Sequence, residues 1–80
     1  MSRRMCTQSL DLLEKLMDAA RNVGPQILAD DYLAQCAGMI GLAHIERMLT
    51  ADEHAAYWAT INAIKDARAA ARKQREETPL

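Results

Sequence analysis

The chain contains no phenylalanine, and its aromatic residues are limited to one tryptophan and two tyrosines among 80 residues. A core without many aromatic rings must be built from leucine, isoleucine, methionine and alanine, and apolar residues make up 50% of the composition. This composition favours helices, because strands are enriched in β-branched and aromatic residues. No segment alternates between apolar and polar residues as a half-buried strand does. The sequence therefore predicts an all-α protein.

The chain has little cysteine and no long apolar run. Two cysteines, Cys6 and Cys36, are too few for the disulfide framework of a small secreted domain. No long apolar segment follows the start at Met1, so a signal peptide is not expected. Residues 32–45 come nearest to a membrane span but are interrupted and fall short of the ~18 apolar residues that a span requires. We expect a reduced, cytoplasmic protein of the producing or infected cell, with no membrane partner.

Length and net charge set further limits. The chain has 80 residues and is expected to form one domain, residues 1–80. Because its formal net charge is -1, it is neither a strongly basic nucleic-acid binder nor a strongly acidic DNA mimic. A chain of this size buries only ~60% of the surface that its unfolded form exposes. Its core is therefore thin, and self-association is a common remedy.

Helical periodicity marks the first two segments. The first covers about residues 9–23, where Thr7 or Ser9 can cap the start and Gly24-Pro25 ends the helix, with glycine suited to a left-handed exit. The second covers residues 25 or 29 to 49 and is apolar on two sides, which is typical of a central, buried helix. The apolar positions of the first segment recur at intervals of three and four residues, and they are Leu10, Leu13, Leu16, Met17, Ala20 and Val23.

The third segment has the clearest start. Thr50 and Glu53 have the spacing of a capping box, in which each side chain bonds the other's backbone amide. An apolar stripe that includes Trp58 follows, and strong helix formers continue to about residue 76. Residues 1–6 and 77–80 are expected to be loose. The predicted architecture is a three-helix bundle or a helical hairpin with an extended third helix, and it is expected to dimerise.

A strip of small residues crosses the second helix. Glycine inside a helix costs ~1 kcal/mol relative to alanine, so two glycines three residues apart need compensation. Either the first or third helix packs closely on this strip, or two copies of the second helix cross there in a dimer. Both alternatives are open on the sequence alone. The residues concerned are Ala34, Ala37, Gly38 and Gly41.

Charge is distributed unevenly. Residues 30–53 carry a local balance of -4, and residues 65–75 carry +4. Four of the basic side chains continue the apolar stripe along one side of the third helix, which implies that this helix projects past the core. They form either a solvated tail, where each exposed charge contributes at most about 1 kcal/mol to stability, or a surface for an acidic partner or nucleic-acid phosphates. These candidate partner-binding residues are Lys65, Arg68, Arg72 and Arg75.

The sequence gives little support for a metal site or a catalytic site. His44 and His54 are the only histidines, and no pair of histidines or cysteines has zinc-site spacing, although His54 could meet Cys36 or His44 in space. The carboxylates at Asp30-Asp31 and Asp52-Glu53 sit at helix starts, where capping explains them. We expect no enzyme, no cofactor and no metal. A helix-turn-helix is also disfavoured, because the acidic first turn of the third helix would repel DNA phosphates.

The run from Gly38-Met39-Ile40-Gly41-Leu42 through Leu49-Thr50-Ala51-Asp52-Glu53 to Tyr57-Trp58 and Ile61 resembles small phage- and plasmid-encoded helical accessory proteins. The resemblance implies a host-takeover or anti-CRISPR-like inhibitor that acts by stoichiometric binding to a host macromolecule, and it assigns no site residues. The leading hypothesis is thus a non-enzymatic protein-binding module that forms a homodimer. The alternatives are a small DNA-binding regulator that uses the basic end of the third helix, and a structural subunit of a larger assembly.

Overall fold

The computed structural model describes the backbone of residues 4–77 and the side chains of residues 4–75. The first helix, α1, spans Thr7–Asn22. Its N-cap is Cys6, in an extended conformation (φ -70°, ψ 159°) and without a side-chain cap hydrogen bond. The prediction that Thr7 or Ser9 caps this helix is therefore wrong. The helix begins before Ser9, whose hydroxyl oxygen instead lies 3.2 Å from the Cys6 sulfur.

The connection from α1 to the second helix is short. Val23 turns to an extended conformation (φ -67°, ψ 141°), and its amide still donates to the Ala19 carbonyl. No described glycine has a positive φ, so the left-handed exit expected at Gly24 does not occur. Pro25, which cannot donate from its own nitrogen, is the N-cap of the next helix. This tight turn folds α2 back along α1.

The second helix, α2, spans Gln26–Ile45 and ends four residues before the predicted boundary at Leu49. Its end is a Schellman motif, in which Met48 donates to the Ala43 carbonyl at 2.7 Å and Arg47 donates to the His44 carbonyl at 3.0 Å. Arg47 occupies the left-handed position with φ 60°, where glycine is usual. The sequence lacks that glycine, which explains the misplaced boundary.

The third helix, α3, spans Ala51–Glu77, and its predicted capping box is confirmed. The Glu53 amide donates to the Thr50 hydroxyl oxygen at 3.1 Å, and the Thr50 amide donates to a Glu53 carboxylate oxygen at 3.0 Å. Of the ends predicted to be loose, residues 1–3 and 78–80 lie outside the described residues. Residues 4–6 precede α1, and Glu77 belongs to α3.

All three helices contribute to one apolar core, and the described part of the chain contains helices but no strands, which confirms the all-α prediction. On α2, only one side is buried rather than the two that its composition predicts. Among the described side chains of α3, Ile64 is the last buried one, so the residues described after it continue past the core. None of the described helices is both long and apolar enough for a bilayer crossing. The core residues are Leu13, Met17, Ala20, Leu33, Cys36, Ile40, Ala43, Leu49, Ile61 and Ile64.

Candidate functional site

Arg68 joins α3 to the end of α1. Its guanidinium donates to the carbonyl oxygens of Ala20 at 3.1 Å, Val23 at 2.6 Å and Gly24 at 3.1 Å, while Nε donates to the Gln26 side chain at 3.0 Å. Carbonyls at a helix C-terminus have no partner within the helix and carry partial negative charge, so a cation suits them. Arg68 thus completes the end of α1 in place of a glycine cap. Sequence reasoning missed this role because the acceptors lie 42 to 48 residues away.

An open groove lies beside this contact, between the α1–α2 turn and α3, with a volume of about 310 Å³. Three arginines line it, Arg21, Arg68 and Arg75, above apolar side chains that include Val23 and Ile64. Arg21 is paired with Asp18 at 2.8 Å, and Arg68 is bonded to the turn. Arg75, which is exposed, contributes the third guanidinium of the groove. These residues form the basic groove.

The four basic residues singled out in the sequence have unlike surroundings. Lys65, Arg72 and Arg75 are exposed on α3, and all three follow Ile64, the last buried residue among its described side chains. Arg68 is half-buried and bonded within the chain. The interpretation of all four as one partner-binding stripe stays a prediction, but Arg68 is not a solvated charge. The expectation that each of these charges contributes little to stability is therefore revised for Arg68.

The strip of small residues lies on the outer side of α2. Ala34 and Gly38 are exposed, and Ala37 and Gly41 are half-buried. A Cβ atom added at Gly38 or Gly41 would meet nothing within 4 Å. Neither α1 nor α3 approaches these glycines closely, so packing within the described chain does not account for them.

A histidine pair connects the end of α2 to the start of α3. The rings of His44 and His54 stack with centroids 4.4 Å apart, and the Trp58 indole N–H donates to His54 Nε2 at 3.1 Å. Sequence reasoning raised the approach of His54 to His44 but missed the Trp58 bond, although i, i+4 spacing on one helix signals it. Among the described residues, no group of three or more histidine, cysteine or acidic side chains could hold a metal ion. The contacts that hold this cluster together are ring stacking and a hydrogen bond.

A second, mostly apolar pocket of about 210 Å³ lies where the start of α1 meets the end of α2. Methionines supply much of its lining, and their flexible side chains adapt to differently shaped partners. Nothing in the sequence signals this pocket, because its residues come from three separate segments. They are Met5, Ser9, Met39, Leu42, Ala43, Glu46 and Met48.

Three of the four acidic residues considered for catalysis have hydrogen-bond partners within the chain. The Gln26 amide donates to Asp30 at 2.8 Å, and the Gln35 amide donates to Asp31 at 3.0 Å. Glu53 belongs to the capping box and is also paired with Arg4 at 2.8 Å. These bonds stabilise helices, and they assign none of the three carboxylates to a substrate.

Compared with family models, with characterised proteins and with solved structures, the chain matches none.

Proposed function

We propose that this all-α chain, folded as a three-helix bundle with an extended third helix, is a non-enzymatic protein-binding module whose basic groove receives an acidic segment of another protein. The observation that carries the proposal is the arrangement of Arg21, Arg68 and Arg75 around one open groove. Guanidinium groups bind carboxylates in paired hydrogen bonds. The apolar floor suits the side chains that flank an acidic residue in a peptide.

The extension of α3 supports the same proposal. Beyond Ile64, the helix carries Arg72, Lys73 and Arg75 on exposed residues. Exposed charges on a projecting helix raise the rate at which an oppositely charged partner associates, and this effect weakens as salt is added. The role of a mobile-element accessory protein that inhibits a host macromolecule rests on the sequence resemblance alone.

Peptide binding tests the proposal directly. Fluorescence anisotropy of a labelled, glutamate-rich peptide should show binding that weakens with added salt. The α3 variant Arg75→Gln, which removes one positive charge from the groove, should weaken binding about tenfold. The matched control is Lys15→Gln, which removes one exposed positive charge from α1 and should leave binding nearly unchanged.

A labelled DNA duplex, measured in parallel, distinguishes the alternative function. Binding to duplex with no binding to the acidic peptide would overturn the proposal in favour of a DNA-binding regulator, as would an effect of the α3 variant on duplex alone. Equal losses in the α3 and Lys15 variants would show that net charge, rather than the basic groove, attracts the peptide. That result would also overturn the proposal.

A further inference from the structure

The basic groove carries more positive charge than carboxylates of the chain neutralise. Three guanidiniums line it, those of Arg21, Arg68 and Arg75, and no acidic side chain is among the described residues of its wall. Arg21 is paired with Asp18 at 2.8 Å. Arg68 donates only to neutral oxygens, and Arg75 has no ion-pair or hydrogen-bond partner among the described residues. Two of the three guanidiniums therefore lack a carboxylate.

Several acceptor oxygens at the groove are already in use. The carbonyl oxygens of Val23 and Gly24 accept from Arg68 at 2.6 Å and 3.1 Å, and the Gln26 side-chain oxygen accepts from Arg68 Nε at 3.0 Å. The Gln26 amide nitrogen donates to Asp30 at 2.8 Å, so that carboxylate is bonded to Gln26 rather than to an arginine of the groove. A ligand group with hydrogen-bond donors would have to compete with Arg68 for these oxygens.

The donors that remain suit a ligand that only accepts. A guanidinium has five N–H donors, has no acceptor and stays charged in proteins. Arg68 makes four hydrogen bonds within the chain, which leaves it one N–H, whereas Arg75 keeps all of its donors. A fully ionised anion matches both the charge and the donors of the groove.

The positions of Arg68 and Arg75 allow one ligand to contact both. They are seven residues apart on α3, which is about two helical turns, so they lie on the same side of the helix ~10 Å apart along its axis. Side chains on a helix lean toward its N-terminus, so the Arg75 side chain leans toward Arg68. Between them, Ala71 lines the groove with only a methyl group. The space between the two arginines is therefore open to a ligand.

The amount of unpaired charge distinguishes between two kinds of anion. A carboxylate has one negative charge, and the paired hydrogen bonds of a single guanidinium satisfy it. A phosphate monoester carries about -1.5 to -2 at pH 7 and has three strong acceptor oxygens. We propose that the basic groove binds a phosphorylated side chain, with its phosphate shared between Arg68 and Arg75. The proposal rests on the proposed function and specifies which anion the acidic segment presents.

Four labelled peptides of otherwise identical sequence test this specificity by fluorescence anisotropy. The test position holds serine, phosphoserine, glutamate or two successive glutamates, and the last of these approaches the charge of phosphoserine without its geometry. The phosphoserine peptide should bind about tenfold more tightly than the single-glutamate peptide and severalfold more tightly than the double-glutamate peptide. The serine peptide should bind most weakly.

Acidification provides a second readout of the same preference. The second pKa of a phosphate monoester is about 6. At about pH 5.5 the phosphate therefore gains a proton, loses negative charge and becomes a hydrogen-bond donor, while peptide carboxylates stay mostly ionised. The advantage of phosphoserine over the double-glutamate peptide should shrink to about twofold or less. Circular dichroism at both pH values checks that the fold is retained.

Arg75→Gln tests the site itself. Arg75 is exposed, so the variant should keep the parental helix content and thermal stability. It should bind the phosphoserine peptide about tenfold more weakly and lose the preference over the double-glutamate peptide. Lys15→Gln, which removes an exposed charge from α1, should keep that preference.

The outcomes separate this proposal from the one on which it rests. Equal binding of the phosphoserine and single-glutamate peptides would overturn the phosphate specificity and leave the acidic-segment function intact. Equal binding of the phosphoserine and double-glutamate peptides would show that charge alone is recognised, which also overturns it. A preference for phosphoserine that survives in Arg75→Gln would place the phosphate elsewhere and contradict the assigned site. If none of the four peptides binds, both proposals are wrong.

Discussion

The guanidinium of Arg68 donates to the carbonyl oxygen of Val23 at 2.6 Å, across 45 residues of sequence. This bond joins the middle of α3 to the residue that ends α1. Three further hydrogen bonds from the same guanidinium reach the α1–α2 turn or its neighbours. Arg68 is thus a packing residue as well as part of the basic groove.

Replacing Arg68 with glutamine should destabilise the fold. Hydrogen bonds from a charged donor contribute about 1.5–3 kcal/mol, and half-buried carbonyls would be left without a partner. We expect a loss of about 2 kcal/mol in the free energy of unfolding, measured by urea denaturation. Arg68→Lys should recover only part of it, because a single ammonium cannot reproduce the fork of a guanidinium. Arg72→Gln, one helical turn further on and exposed, should change the free energy of unfolding by less than about 1 kcal/mol. Equal effects at the two positions would contradict the bridging role.

Sequence patterns predicted those parts of the fold that depend on neighbouring residues. The three helices follow from periodicity, and the start of α3 follows from Thr50 and Glu53, which are three residues apart and whose bonds are both present. The end of α2 was misplaced because its left-handed residue is Arg47, for which no local pattern exists. The start of α1 was misplaced because Thr7 and Ser9 are both good caps but Cys6 is the residue that turns extended.

Tertiary contacts were predicted less well. The basic residues of α3 were found from charge alone, but the different role of Arg68 depends on carbonyls brought near by folding. The sequence marks the glycines of α2 as unusual, because glycine inside a helix costs ~1 kcal/mol relative to alanine. Only the structure shows that nothing in the described chain packs within 4 Å of a Cβ at Gly38 or Gly41.

Glu53 should make stability depend on pH. The backbone amide of Thr50 is the main cause that holds the pKa of the Glu53 carboxyl below its ordinary value of 4.5; the Thr50 hydroxyl and Arg4 act in the same direction, and desolvation opposes them. Because the folded pKa is below the unfolded one, the ionised carboxylate stabilises the fold above pH 4.5. That contribution is lost as pH falls through the lowered pKa.

The comparison variant is Glu53→Gln, which keeps an oxygen acceptor for the capping box but has no charge to lose. Thermal melts should show the parent more stable than the variant at neutral pH. The difference should shrink as the solution is acidified below the ordinary carboxyl range, and it should vanish when Glu53 is protonated in both states. A difference that stays constant over the whole acid range would rule out the assigned role of the carboxylate.

The two cysteines should differ in reactivity. A hydrogen bond with the Ser9 hydroxyl is the main cause that lowers the pKa of the exposed Cys6 thiol, whereas burial raises the pKa of the Cys36 thiol. The thiolate is the reactive form, so iodoacetamide should modify Cys6 first at neutral pH, as followed by peptide mass spectrometry. Ser9→Ala should slow the reaction of Cys6. In denaturant the two rates should become similar, and a difference that survives unfolding would show that the fold is not its cause.

Arg47 should be a site where glycine stabilises the protein. Its φ of 60° places a side-chain-bearing residue in the left-handed region, at a cost of roughly 1–2 kcal/mol. Glycine adopts this conformation without that cost but gives the unfolded chain more freedom, which offsets about 0.5–1 kcal/mol. Arg47→Gly should therefore raise the free energy of unfolding by about 0.5–1 kcal/mol.

Arg47→Ala is the matched control for that prediction, because it removes the same side chain and keeps the Cβ atom that disfavours a positive φ. Thermal melts of the two variants should separate the backbone effect from the loss of the guanidinium. Glycine should be the more stable of the two, because the Schellman hydrogen bonds from Arg47 and Met48 at this turn involve backbone atoms alone and are retained in both variants. If alanine stabilised the chain as much as glycine does, the gain would come from removing a positive charge, and the left-handed conformation would have no part in it.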